Sequence, residues 1–431
     1  MVLIFSAYPG NRLRYTLRFL FEGIVGVKWE LTKDKEVFEA YKGPKINYSA
    51  IQELSGLRIH PSGILRQKGI KEVGVTATTW GELPAILPTK GDLSFDLFGA
   101  SFYLLSRYEE YQPHRSDHYG RFLAEESVAF QHGFLGRPMI DEWMMKLKKE
   151  WLSQFEIETR ERKYTFTATI DVDSAYAYRH KGLMRTLGGM AKDVVGGEFR
   201  NLKERLLCIF TSKHDPFDTY DELHAHHQKF GTKAIFFFLL ADYGLNDKGV
   251  SYKSKPLQQL IRRLGDYYRI GIHPGFQSNS DPIRLKEETE RLAGIIRKEV
   301  LLSRQHFLIL NFPETYRRLI DQGVREDHTM GYASQTGFRA STCTPFNFFD
   351  IERDLETKLL IHPFAVMDAT LSRYLALTPE KGQDRIGLLA DQVRNVNGQM
   401  VILWHNESLS EKWEWKGWRK VYLRALEQCA E

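Results

Sequence analysis

Thr165-Phe166-Thr167-Ala168-Thr169-Ile170-Asp171-Val172-Asp173 is the stretch on which the fold turns. Phe166, Ala168 and Ile170 alternate with threonines, and apolar/polar alternation with dense β-branching reads as a strand. The strand ends in two carboxylates separated by one residue. Residues i and i+2 of a strand point to the same face, so a strand that persists to Asp173 aims both acids into one space. A buried pair of carboxylates is costly unless a cation or metal joins them. The competing reading is a strand end capped by solvated aspartates.

Downstream of this strand the pattern alternates between strand and helix. Lys233–Leu240 (KAIFFFLL) is a continuous apolar run, as expected of a strand covered on both faces. Pro256–Tyr268 reads as a helix, Arg269–Phe276 as a strand with its exit loop, and Ser280-Asp281-Pro282 as the start of the next helix. Gln305–Leu310 reads as a strand, Pro313–Gln322 as a helix stopped by Gly323, and Met330–Ala333, Gly337–Ser341 and Lys358–Pro363 as shorter strands. Asp384–Val396 is helical, Met400–Trp404 is the last strand, and Lys420–Gln428 closes the chain. Strands separated by helices imply a parallel sheet, and about eight such units suggest a barrel with its chemistry at the C-terminal strand ends. Asp171, Asp173, His273, His306 and His405 fall at or near such ends.

Residues 1–155 read as a smaller α+β unit, with short strands at Val2–Phe5, Val25–Trp29 and Ile46–Tyr48 and an all-round apolar helix at Phe95–Arg107. Arg107, Glu109, Glu110, Arg121 and Asp141 read as an internal ion-pair set. Met139–Trp151 is an amphipathic helix leading to a charged linker, Glu156–Lys163, where the two cores are expected to meet. His180–Phe230 separates the first two strands by more than a normal loop. Its His224 and His227 share a helix face, but no carboxylate or cysteine accompanies them at a motif spacing, so a polar helix surface is expected.

Composition narrows the function. A formal charge of +5 over 431 residues, without a Lys/Arg block, does not fit a nucleic-acid partner. The apolar run at Met1–Phe5 is cut short by Pro9, Gly10, Arg12 and Arg14, and nothing approaches a spanning length. Cys208, Cys343 and Cys429 are odd in number and far apart, which fits reduced thiols in a cytoplasmic protein.

Three pieces then combine: Thr169-Ile170-Asp171-Val172-Asp173, Ile270-Gly271-Ile272-His273 with Gln277 four residues on, and Leu403-Trp404-His405-Asn406. In this order and spacing they resemble the polysaccharide deacetylase family over roughly Tyr164 to the C-terminus. The first unit is similar to an uncharacterised domain that precedes such barrels in some bacterial proteins, through Leu105-Ser106-Arg107-Tyr108-Glu109-Glu110. The resemblance implies a distorted (β/α)7–8 barrel over residues 164–431 and a divalent metal, usually zinc. By position it makes Asp171 the base, Asp173 and His273 metal ligands, Arg304 the residue that orients the base, and His405 the acid. A metal with an open position activates water and polarises an acyl oxygen. A nearby carboxylate and histidine then take and give the proton.

Two departures stand out. The family's adjacent aspartates become Asp-Val-Asp, and its second metal histidine becomes Gln277, a weak zinc ligand. His306, two residues after Arg304, competes with Gln277 for the third ligand position, and a hydrogen-bonded core histidine is its bland reading. His328, His362 and Arg339 are further strand-end candidates, with His362 competing with His405 as the acid. Trp404, Trp413, Trp415 and Trp418 read as packing residues rather than a sugar platform. The expected function is metal-dependent removal of acetyl groups from a carbohydrate substrate. The alternative is a barrel without activity that binds carbohydrate or assists assembly. A glycosidase using both aspartates ranks last, because its carboxyls must flank the bond being cut. Oligomeric state and the substrate sugar are not legible.

Overall fold

The computed structural model describes residues 1–430. Near its start is a four-stranded parallel sheet in the order Trp29–Thr32, Val2–Phe5, Lys45–Asn47, Leu57–Arg58. The strand expected at Val25–Trp29 starts only at Trp29. Arg18–Val25 continues the preceding helix as a π-helix and is stopped by Gly26 at φ 74°, a conformation that glycine adopts without steric cost. The helix Leu97–Leu105 is buried on every side, as its composition requires.

A nine-stranded sheet carries the site. Its order is Phe346–Asp350, Leu355–Ile361, Glu326–Asp327, Leu302–Ser303, Arg269–His273, Lys233–Leu239, Thr165–Val172, Gln399–His405, Val366–Met367. All neighbours are parallel except the hairpin between the first two. No strand before Thr165 belongs to it. Leu355–Ile361 and Val366–Met367 follow each other in the chain but do not pair, so the hydrogen-bonded ladder has two edges and is not a closed ring. At this seam the chain steps from one wall to the other: the His362 amide donates to Asp327 O, and the Ala365 amide, three residues later, donates to Val401 O. Pro363 between them has no N–H to give.

Two further expectations change. Gln305–Leu310 is not a strand; the ladder ends at Ser303, and His306–Leu308 forms a 3-10 turn. Met330–Ala333 and Gly337–Ser341 are irregular, and the latter is held by the first unit: Phe338 donates to Leu135 O, and Ile140 donates to Ser341 O.

One apolar core runs across the linker. Tyr15, Phe19, Phe98, Phe102 and Trp143 share it with Tyr316, Phe346, Phe348, Phe349 and Ile361. Phe349 packs 5.0 Å from Tyr15 and 5.3 Å from Phe102, ring to ring. The ion-pair set crosses the same boundary. Arg107 pairs with Glu109 and Glu110, both at 2.7 Å, and Arg339 closes on Glu110 at 2.5 Å. Asp141 pairs with Arg162 instead. His180–Phe230 folds as three helices, Leu183–Val195, Phe199–Phe210 and Tyr220–Lys229. The three cysteines are free and buried. Trp404, Trp415 and Trp418 are buried, and Trp413 is half-exposed. No helix among the described residues is long and apolar enough to cross a membrane.

Candidate functional site

The sheet register assembles the centre. Asp171 lies directly beside His405 on the neighbouring strand, and Leu239 lies beside His273. The strand that opens the sheet ends at Val172, one residue short of Asp173. The Asp173 carboxylate nonetheless faces His273 Nε2 at 3.2 Å and His306 Nε2 at 3.4 Å, with His405 Nε2 at 4.0 Å.

Both imidazoles are turned by a second partner. His273 Nδ1 lies 2.6 Å from the Arg304 carbonyl, and His306 Nδ1 lies 2.9 Å from Asp247 Oδ1. A ring nitrogen facing a carbonyl oxygen must donate its proton, so His273 presents an unprotonated Nε2 when the ring is neutral. The aim of His306 depends on backbone: Phe307 and Leu308 are both left-handed, at φ 60° and 57°. Such non-glycine conformations cost on the order of 1–3 kcal/mol each and gather at functional sites.

Asp171 is buried with Arg304, whose Nη1 donates to Oδ1 at 3.1 Å. Arg304 is itself fully enclosed, its guanidinium 4.8 Å from the Phe237 ring and 5.5 Å from Phe364. His405 is held across the centre by Asp368, which accepts from its Nδ1 at 2.8 Å and its amide at 2.7 Å. Burial alone would raise the Asp173 carboxyl, but the facing His306, His273 and His405 bring it well below the usual range. Burial works against a charge on His306 and His405, yet Asp173 and Asp247 lift the former to about 9, and Asp368 lifts the latter to about 10. The field at this point therefore favours positive charge.

A divalent ion fits that field and the donors. Asp173 Oδ1 is buried without a hydrogen-bond partner, although His273 Nε2 is 3.2 Å away. A lone pair on each atom would repel; an ion between them satisfies both. Donors at bond lengths of about 2.0–2.1 Å around a tetrahedral ion stand about 3.3 Å apart, close to the 3.2 and 3.4 Å found here. Asp173, His273 and His306 form one of two groups among the described residues with this potential.

Gln277 does not join them. After Gly275 the chain enters a 3-10 turn, Gln277–Asn279, which turns the glutamine out to solvent. His362 and His328 lie elsewhere in the sheet with Glu326, and Arg339 is used by Glu110. A cavity of about 310 Å³ opens over the centre, lined by Asp171, Asp173, His273, His306 and His405. Tyr119 and Arg121 from the first unit, with Arg373 and Glu407, complete its wall. The sequence reading missed Asp247, Asp368 and Tyr119, and placed Arg121 in the wrong set. Asp247, Tyr119 and Arg121 lie in loops and Asp368 directly follows the strand Val366–Met367; each reaches the site only through the fold, so no local spacing marks it.

Residues 2–156 match a family model described as a family of unknown function (DUF7033). No curated protein matches the chain. Among solved structures, it is similar to a protein from Mycobacterium smegmatis assigned as a polysaccharide deacetylase, with 14% identity over 63% of this chain and 86% of that one and a TM-score of 0.39. A polysaccharide deacetylase from Bacillus cereus gives 13% identity, 62% and 88% coverage and 0.31. The Puue allantoinase gives 11%, 62% and 84%, and 0.37.

Proposed function

We propose that the chain is a metal-dependent hydrolase that removes acetyl groups from a sugar or polysaccharide-type substrate, with residues 164–431 as a distorted barrel. The observation that carries this reading is the orphaned Asp173 Oδ1 facing His273 Nε2, with His306 Nε2 beside it. Zinc held by Asp173, His273 and His306 would activate a water and polarise the acyl oxygen. Asp171, held in place by the Arg304 guanidinium, takes the proton of the attacking water. The water oxygen bonds to the acyl carbon, and the carbon–nitrogen or carbon–oxygen bond to the sugar breaks. His405, protonated and oriented by Asp368, gives its proton to the leaving amine or alkoxide. The products are acetate and the free sugar amine or hydroxyl. Tyr119 offers the aromatic face expected beside a sugar ring.

The test is zinc content and acetate release from N- and O-acetylated sugar oligomers. The expected result is acetate release that stops on chelation and returns with zinc, and loss of one metal equivalent in Asp173→Ala. Metal at full occupancy without acetate release would favour the carbohydrate-binding alternative. Metal content unchanged in Asp173→Ala would end the reading.

A further inference from the structure

Deeper in the sheet, Glu326, His328 and His362 bring three ligand atoms within 4.8 Å of one another. Glu326 Oε2 is 3.2 Å from His362 Nε2 and 3.9 Å from His328 Nε2. The two imidazoles lie face to face, 4.4 Å apart at 6°, each with its Nε2 toward Glu326. His328 is 2% exposed, and neither of its ring nitrogens has a hydrogen-bond partner; nor has His362 Nε2. Buried imidazoles seldom forgo all partners. The group borders a separate cavity of about 480 Å³ shared with Thr167, Thr232 and Gln399, residues at the starts of their strands. The first centre opens at the opposite, C-terminal ends.

We propose that Glu326, His328 and His362 form a second divalent metal site. Two imidazoles and one carboxylate suit zinc or cobalt rather than magnesium or calcium, which take oxygen ligands. Arg269 already braces the Glu326 carboxylate from outside at 2.6 and 2.9 Å, fixing its orientation as outer hydrogen bonds do for metal ligands. The test starts from Asp173→Ala/His306→Ala, which removes the first centre. Metal-stripped protein is titrated with Co²⁺ and followed by visible absorption and bound-metal analysis. One equivalent is expected to remain, and to disappear on adding His362→Gln or His328→Gln with unchanged circular dichroism. No bound cobalt in the starting variant, or cobalt that survives both glutamine substitutions, would overturn the site. Neither result depends on acetate release.

An independent observation concerns the helices Leu183–Val195 and Phe199–Phe210. Their apolar stripes, including Leu183, Met184, Val195, Phe199 and Phe210, face solvent, with Met184 82% and Val195 89% exposed. The pair is nevertheless anchored. Arg185 donates to Gly249 O and Lys248 O, Arg205 binds Asp193, and Glu204 binds Lys412 from the loop after the last strand. Those anchors place it at the same sheet end as the first cavity. Lys192, Arg200 and Lys203 are exposed on the same two helices. Apolar stripes flanked by basic residues are what an interfacial helix presents to acidic lipid. We infer that this helix pair docks on an anionic bilayer surface. The full chain should sediment with phosphatidylcholine vesicles containing phosphatidylglycerol. Met184→Ser/Val195→Ser/Phe199→Ser/Phe210→Ser should stay in the supernatant, with its melting temperature unchanged. Equal sedimentation of the two proteins, or none, would refute it. A dimer in light scattering that these substitutions dissociate would assign the face to a second copy instead.

Discussion

Asp171 and Asp173 stand two residues apart and share His273, at 3.8 and 3.2 Å from its Nε2, but only Asp171 takes the Arg304 guanidinium and only Asp173 lies beside His306. Substitution should separate their roles. Asp171→Asn keeps the shape and the contact to Arg304, so zinc content should stay at the wild-type level while turnover falls by ~10²–10⁴. Asp173→Asn should lose metal and recover part of its activity in excess zinc. Equal metal loss in the two would show that the roles are shared. Asp368 acts at one remove, through His405. Asp368→Asn should lower kcat more than KM, measured on one acetylated oligomer with the metal loaded, because ring orientation is lost while the cavity wall is kept. Asp171 and His273 were legible from the pattern of their strands, and Asp173, one residue past its strand, from its two-residue spacing to Asp171. His306 was legible as a candidate but not as placed: Gln305–Leu310 is apolar enough to read as a strand, and nothing in it signals left-handed backbone at Phe307 and Leu308.

At the scale of elements, the long apolar and alternating runs gave their strands correctly, because burial on one or both faces dictates their composition. The two-residue strands Leu302–Ser303 and Glu326–Asp327 are too short to show a period. The helix Tyr220–Lys229 shows how a surface pattern can mislead. His227, expected on a polar face, is buried between two tyrosines, with Nε2 2.6 Å from Tyr422 Oη and Nδ1 3.3 Å from Tyr268 Oη. Burial, then the neighbouring His224 and His226, push it down to about 3. An unfolded histidine protonates near ~6.5. Between these values the unfolded chain binds the extra proton, so this stability is complete above the unfolded pKa and is lost as pH falls toward 3. The slope from this one group is about 1.4 kcal/mol per pH unit at most. Urea unfolding at several pH values should show a shallower acid loss in His227→Gln than in wild type. Identical slopes would mean that His227 is not what destabilises the fold in acid.

Over the whole molecule, the linker Glu156–Lys163 precedes the first strand of the nine-stranded sheet, Thr165–Val172, but the core is not divided there. Composition marks a linker; it cannot say which faces on either side bury each other. Glu110 sits between Arg107 and Arg339 from opposite sides of the linker, fully enclosed. Glu110→Ala would leave the Arg339 guanidinium buried without its carboxylate, while Arg107 keeps Glu109. Breaking a buried pair in this way costs about 3–5 kcal/mol, which denaturant titration would register. The shared apolar face carries the argument further. Phe346, Phe348, Phe349 and Ile361 are each covered in a core built largely by the first unit, and the Phe346–Asp350 strand is an edge of the large sheet. Residues 164–431 on their own would expose that face beside an unpaired edge, a combination that favours association over folding. They should therefore aggregate or melt without cooperativity, while the full chain melts in a transition that involves both units. Differential scanning calorimetry and light scattering of the two proteins decide the point. A monomeric fragment 164–431 that melts as sharply and as high as the full chain would show that the second unit does not need the first to fold, and would leave Tyr119 and Arg121 as the first unit's contribution to the cavity.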